Sequence, residues 1–161
     1  LPSALYQMGE YDRAVAAYDR GIAQNPKTAD LYTGKAVVLI KQKKYGEAVN
    51  VLDKARQLES NNPKILETTA YVLAESGKLR EAATLAEKIL AVNPNNARAH
   101  VILGDDLRHA GKFTEALTHY RAALKSLETK AYAEHFIEVI KRRMEEDEIE
   151  REYEKRNNGK R

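Results

Sequence analysis

At 161 residues, with 43% hydrophobic and 32% charged side chains, the chain has the length and composition of one folded, very soluble domain. Its 27 Lys+Arg against 24 Asp+Glu leave a formal charge of +3 with the signs interspersed, too little to favour nucleic acid or an anionic membrane surface as partner. There is no cysteine, which excludes disulfides, thiolate metal ligands and cysteine nucleophiles.

Residues 1–8, LPSALYQM, read as the tail of a helix and lack the basic start and apolar stretch of a signal peptide. The longest unbroken apolar run, Ala36 to Ile40, is far shorter than the roughly 20 residues of a membrane-spanning helix. No membrane insertion is therefore expected, and the expected location is cytoplasmic. Residues 9–26, GEYDRAVAAYDRGIAQNP, follow as a turn at Gly9 and a second helix. The next helix is ADLYTGKAVVLIKQ (29–42), and KKYGEAVNVLDKARQLES (43–60) then repeats the pattern of 9–26 without a gap. PKILETTAYVLAES (63–76) with GKLREAATLAEKILAVNP (77–94) forms the next such pair, and ARAHVILGDDLRHA (97–110) with GKFTEALTHYRAALKSLE (111–128) the one after. In 63–76 and 97–110 the apolar residues recur three and four apart, as in Leu66–Ala70–Leu73, which is the period of one helical face.

The copies keep a strict beat. Ala14, Ala48, Ala82 and Ala116 recur every 34 residues, each preceded by a large apolar residue (Tyr11, Tyr45, Leu79, Phe113) and a turn residue (Gly9, Lys43, Gly77, Gly111). Glycine suits that turn because it accepts the left-handed backbone that ends a helix. Ala36, Ala70 and Gly104 in the first helix of each pair are placed to face the alanine column of the second. Two helix axes approach closely only where side chains are this small, and one pair cannot bury such faces alone, so the pairs must stack.

These residues resemble the tetratricopeptide repeat family over about residues 1–128, with Pro26 and Pro94 in the family's loop position. Lys43 replaces a turn glycine, Ser60 replaces a loop proline, and Tyr32, Leu66 and His100 stand where the family often has tryptophan. The resemblance implies an all-α, right-handed superhelical solenoid of antiparallel helix pairs. By register its repeats fall at 1–28 (truncated), 29–62, 63–96 and 97–130, with a capping and extended charged helix over 129–157 and a flexible tail over 158–161. The truncated first repeat would expose apolar surface. In the capping helix Ala131, Phe136, Ile137, Ile140 and Met144 form the apolar stripe, and Asp147–Arg151 and Glu152–Arg156 are spaced for surface ion pairs.

No enzyme motif survives inspection: there is no glycine-rich phosphate loop, no paired-histidine zinc signature and no nucleophile elbow. The four histidines, His100, His119, His109 and His135, include no pair at three or four residues, so no metal site or cofactor is expected. Neighbouring Asp105 and Asp106 point about 100° apart on a helix and cannot act as a carboxylate pair. Asp106 follows Val38 and Val72 in its column, so partial exposure or a cationic partner is expected for it.

The resemblance implies a non-catalytic scaffold or adaptor that binds a peptide or partner protein in a concave groove lined by the first helix of each pair. Carried over by register, the groove is formed by Val37, Lys41, Lys64, Glu67, Tyr71, Arg98, Val101, Ile102, Asp105 and Arg108. Tyr71 and Arg108 are its hot-spot residue types. Two other readings compete: homo-oligomerisation through the end repeats, and a regulatory region of a longer enzyme or transport component. A basic stripe of Arg98, Arg108, Arg142 and Arg143 is interrupted by Asp105 and Glu138, which argues against nucleic acid.

Overall fold

The computed structural model describes residues 2–160, with side chains from Gln7 onward. Among the described residues the regular elements are α-helices: α1 (Pro2–Gln24), α2 (Ala29–Lys41), α3 (Tyr45–Leu58), α4 (Pro63–Glu75), α5 (Leu79–Val92), α6 (Ala97–His109), α7 (Phe113–Ala123) and α8 (Leu127–Asn158). None of them is long and apolar enough to cross a membrane.

Turn chemistry sets the boundaries. Lys43, Gly77 and Gly111 have φ of +60°, +84° and +75°. In each case the next amide turns back to the departing helix: Lys44 N to Leu39 O at 2.9 Å, Lys78 N to Leu73 O at 2.8 Å and Lys112 N to Leu107 O at 2.9 Å. Orphan carbonyls at the helix end are thereby satisfied. At the other ends Asn62 and Asn96 cap α4 and α6, their side chains accepting from Lys64 N and Ala99 N at 3.0 Å, and Pro63 opens α4 in its first turn.

Gly9 departs from expectation. No turn forms there, and α1 runs unbroken through it. A glycine inside a helix costs only about 1 kcal/mol, which the rest of α1 absorbs. The apolar surface expected at residues 1–6 lies outside the described side chains.

The chain forms two compact units, Leu1–Val92 and Asn93–Arg161. In the first, the expected small columns are fully buried: Ala36 and Ala70 on one side, Ala48 and Ala82 on the other, all at 0% exposure. Ala36, Leu39, Ala48, Leu52 and Val72 form one core, with Val15, Tyr45 and Val49 against it. Tyr32, Ala29, Ala55 and Ile65 form a second, and the Tyr32 hydroxyl donates to Pro26 O at 2.8 Å. Buried Thr33 and Thr69 donate to Ala29 O (3.0 Å) and Ile65 O (2.7 Å), so neither hydroxyl is left unsatisfied.

In the second unit Ala116, Leu117, Tyr120 and Ala123 of α7 pack with Ala133, Ile137 and Ile140 of α8. Gly104 faces the Tyr120 ring so closely that a Cβ there would lie 2.9 Å from the Tyr120 Cε1. Thr129 donates to Ala123 O at 2.6 Å and ties the start of α8 to the end of α7. The stripe on α8 is as expected at Phe136, Ile137 and Ile140 and departs at its ends: Ala133 is buried in place of Ala131, and Met144 is exposed. Asp147 also changes partner. Arg143 holds its carboxylate at 3.3 Å, while Arg151 donates to its main-chain carbonyl at 3.1 Å. Glu138 follows Ala36, Ala70 and Gly104 in register and is exposed. At that position α8 presents a carboxylate where its predecessors admit a helix.

Candidate partner-binding surfaces

In the unit ending at Val92, α4 lies beside α2 as well as α3. Five of the residues expected to line the groove belong to these two helices. Val37 and Glu67 are half-buried, while Lys41, Lys64 and Tyr71 are exposed. Tyr71 keeps 44% of its surface accessible, unusual for an aromatic side chain on an otherwise well-buried helix. The helix presents it because Ile65, Thr69, Val72 and Leu73 take the core-facing positions, leaving Lys64, Glu67 and Tyr71, three and four apart, on another face.

In the unit beginning at Asn93, Arg98, Val101, Asp105 and Arg108 are drawn into a network with α7 and α8. Arg98 pairs with Glu128, and this hydrogen bond holds the Glu128 carboxyl below the usual carboxylate range. Val101 packs on the α7–α8 core, and Ile102 is itself buried, at 8% exposure, so it offers no accessible surface. Asp105 accepts from the hydroxyl of Tyr120 and, at 2.8 Å, from that of Tyr132. Arg108 donates from Nε to the Tyr120 hydroxyl at 3.1 Å, reaches Asp105 at 3.7 Å and lies 4.1 Å over the Phe136 ring.

Burial, and next the neighbouring Asp105 carboxylate, push both tyrosine hydroxyls well above their ordinary range. Asp105 and Arg108 thus hold α8 against α6 and α7. Their side chains retain 16% and 20% exposure. Asp106 is half-exposed, as expected for a carboxylate in a valine column.

Two features escaped the sequence reading. Tyr132 and Val139 on α8, 34 residues beyond Arg98 and Asp105, are exposed at 42% and 41%, and the same register arithmetic applied past residue 128 would have found them. His100 and His119, which no local spacing links, meet with their Nδ1 atoms 3.0 Å apart. A shallow cleft of about 320 Å³ lies where Phe113 and Thr114 of α7 approach Met144, Glu148 and Arg151 of α8. It includes none of the expected groove residues.

A family model described as tetratricopeptide repeat matches residues 3–63 and 68–133. Among solved structures, MamA from Desulfovibrio magneticus RS-1 is similar with a TM-score of 0.77 and 17% identity, over 89% of this chain and 81% of that one. YrrB, described as a TPR protein with an unusual peptide-binding site, has a TM-score of 0.66 and 24% identity, over 81% and 68% of the two chains. The first TPR domain of Spaghetti (RPAP3), solved with an HSP90 peptide, has a TM-score of 0.65 and 22% identity, over 72% of this chain and 92% of that one. No curated protein sequence matches this chain. At these identities the structural likeness speaks for the fold, an all-α array of helix pairs, and for nothing finer.

Proposed function

This chain belongs to the tetratricopeptide repeat family, and we propose on that premise that it is a non-catalytic scaffold that binds a peptide or partner protein across α2 and α4. The observation that carries the reading is Tyr71, an aromatic ring left 44% exposed. Val37 on the neighbouring α2 is half-buried, and the lysines Lys41 and Lys64 are exposed. Such a mix, an apolar centre with charged residues around it, is the composition of protein interfaces, in which tyrosine is a frequent energetic anchor. Peptide binding in YrrB and in the Spaghetti domain lends support by analogy of fold.

Within the candidate set we assign binding to Val37, Lys41, Lys64, Glu67 and Tyr71. Val101, Ile102, Asp105 and Arg108 are assigned to holding the second unit together, and Arg98 to the tether with Glu128. Nucleic acid remains a poor fit. Of the four arginines that could form a basic stripe, Arg98, Arg108 and Arg143 are engaged with Glu128, Asp105 and Asp147.

The test begins with peptides selected from a random display library against the intact chain. Their affinity is then measured by fluorescence polarisation for the parent, Tyr71→Ala, Lys64→Ala and, as an outer-face control, Glu87→Ala. Tyr71→Ala is expected to weaken binding by at least about tenfold and Glu87→Ala to leave it unchanged. Equal affinity in the parent and Tyr71→Ala would remove this face from the account.

A further inference from the structure

We propose that His100 and His119 form a two-histidine site for a late first-row divalent metal ion, with Cu(II) and Ni(II) the best-fitting ions. The residues stand on different helices, α6 and α7, and are brought together only by the fold. Their Nδ1 atoms lie 3.0 Å apart and their ring centroids 5.2 Å apart. Two imidazole lone pairs at that distance repel unless a proton or a cation lies between them.

The hydrogen bonding defines which nitrogens are available. His100 Nε2 is 2.8 Å from the carbonyl oxygen of Pro94. A carbonyl only accepts, so Nε2 carries the hydrogen and neutral His100 presents its Nδ1 lone pair to His119. In the metal-free protein His119 donates its Nδ1 proton into the gap. When His119 adopts its other tautomer, with the proton on Nε2, two lone pairs converge on the same gap and a cation replaces the proton. A histidine whose second nitrogen donates to a main-chain carbonyl is held in orientation, the usual support for a metal-ligating imidazole.

The distance is compatible with two ligands on one ion. With metal–nitrogen bonds of about 2.0–2.1 Å, two ligands at a right angle stand about 2.9 Å apart and two at the tetrahedral angle about 3.3–3.4 Å. The observed 3.0 Å is within reach of that range, and the preference for Cu(II) and Ni(II) follows from the affinity order of nitrogen ligands for late first-row divalent metals. The rings now meet nearly head-on with their planes at 38°, so His119 must turn and draw back to admit an ion, while His100 keeps its bond to Pro94 O.

The helices themselves are held close by. Gly104, one turn along from His100, sits against the ring of Tyr120, which adjoins His119 in sequence. Both histidines are half-buried, so the ion is reached from solvent. Among the described residues no group of three or more His, Cys, Asp or Glu side chains converges on a point. In a chain without cysteine, paired imidazoles are the strongest ligands on offer to these metals.

The experiment titrates the intact chain with Cu(II), Ni(II), Zn(II) and Mg(II) separately, by calorimetry, and records the electron paramagnetic resonance of the Cu(II) form. One Cu(II) per chain is expected, with hyperfine structure from two nitrogens, an affinity order Cu(II), Ni(II), Zn(II), and no response to Mg(II). H100Q and H119Q should each weaken Cu(II) by at least about tenfold, with circular dichroism confirming that both remain helical. H109Q and H135Q should bind as the parent does. Parent-like affinity in H119Q, coordination by a single nitrogen, dependence on His109 or His135, or no binding of Cu(II) would each overturn the site.

Discussion

Gly104→Ala offers a sharp test of the packing argument, because the same substitution at Gly9 should have the opposite sign. An ideal Cβ at Gly104 would lie 2.9 Å from Tyr120 Cε1 and 3.0 Å from both Cδ1 and Cζ, well inside the roughly 3.5–4.0 Å of favourable carbon–carbon contact. The ring cannot simply swing aside. Tyr120 is at 0% exposure, its hydroxyl donates to Asp105 and accepts from Arg108, and its ring stacks on Phe136 with centroids 5.9 Å apart. The helices must therefore separate by several tenths of an ångström, an overpacking cost of roughly 1–3 kcal/mol, offset by about 1 kcal/mol of improved helix propensity. At Gly9, in the interior of α1, nothing among the described residues lies within 4 Å of the added methyl group, so the propensity gain remains.

The two variants should consequently differ by about 1–3 kcal/mol, and the propensity contribution cancels in the comparison. Urea denaturation followed by circular dichroism reads the difference. Amide hydrogen exchange along α6 and α1 locates it, since repeat arrays need not unfold as a single unit. Gly104→Ala as stable as Gly9→Ala would refute the reasoning, because the column would then have room to spare.

Lys43→Gly should stabilise the protein by about 0.5–1 kcal/mol, because an L side chain at φ +60° carries a strain that glycine lacks; Gly77→Ala should destabilise it, and thermal melts of the pair check both signs. Asn96→Ala removes the side-chain acceptor of Ala99 N and should cost about 1 kcal/mol, read as lost hydrogen-exchange protection in the first turn of α6. Tyr120 and Tyr132 have folded-state pKa values raised by burial and then by Asp105. Their contribution is therefore intact below the unfolded tyrosine value of about 10 and is lost as pH rises beyond it. Denaturation midpoints should fall above about pH 10, and less steeply in the Tyr120→Phe, Tyr132→Phe double variant; identical pH profiles would contradict the assignment.

Much of the architecture was legible because it is written in residue size and spacing. Ala36, Ala70 and Gly104 and their partners Ala48, Ala82 and Ala116 all came out buried, since a helix face is fixed by period alone. Lys43 took the left-handed turn that register demanded despite being a poor residue for it, because packing of α2 on α3 outweighs a local strain of about 1–2 kcal/mol. Gly9 shows the converse: its turn signal was present, yet α1 runs through it, since a glycine costs a helix only about 1 kcal/mol.

What period does not encode is reach. Arg98 and Arg108 looked available on a helical wheel, yet long side chains find Glu128, Tyr120 and Phe136 on neighbouring helices. His100 and His119 are 19 residues apart, and only the crossing of α6 over α7 makes them a pair. On α8 Ile137 and Ile140 are buried as expected, but Ala133 rather than Ala131 joins them, because alanine carries too weak a signal to distinguish one side of a charged helix from the other.

The binding claim is tested most directly by following backbone amide resonances of the isotope-labelled chain as a library-selected peptide is added. Shifts should concentrate on α2 and α4, at Val37, Lys41, Lys64, Glu67 and Tyr71, and should disappear in Tyr71→Ala at the same peptide concentration. Perturbations confined to α3, α5 or the exposed end of α8 would mean that the partner is held elsewhere on the molecule.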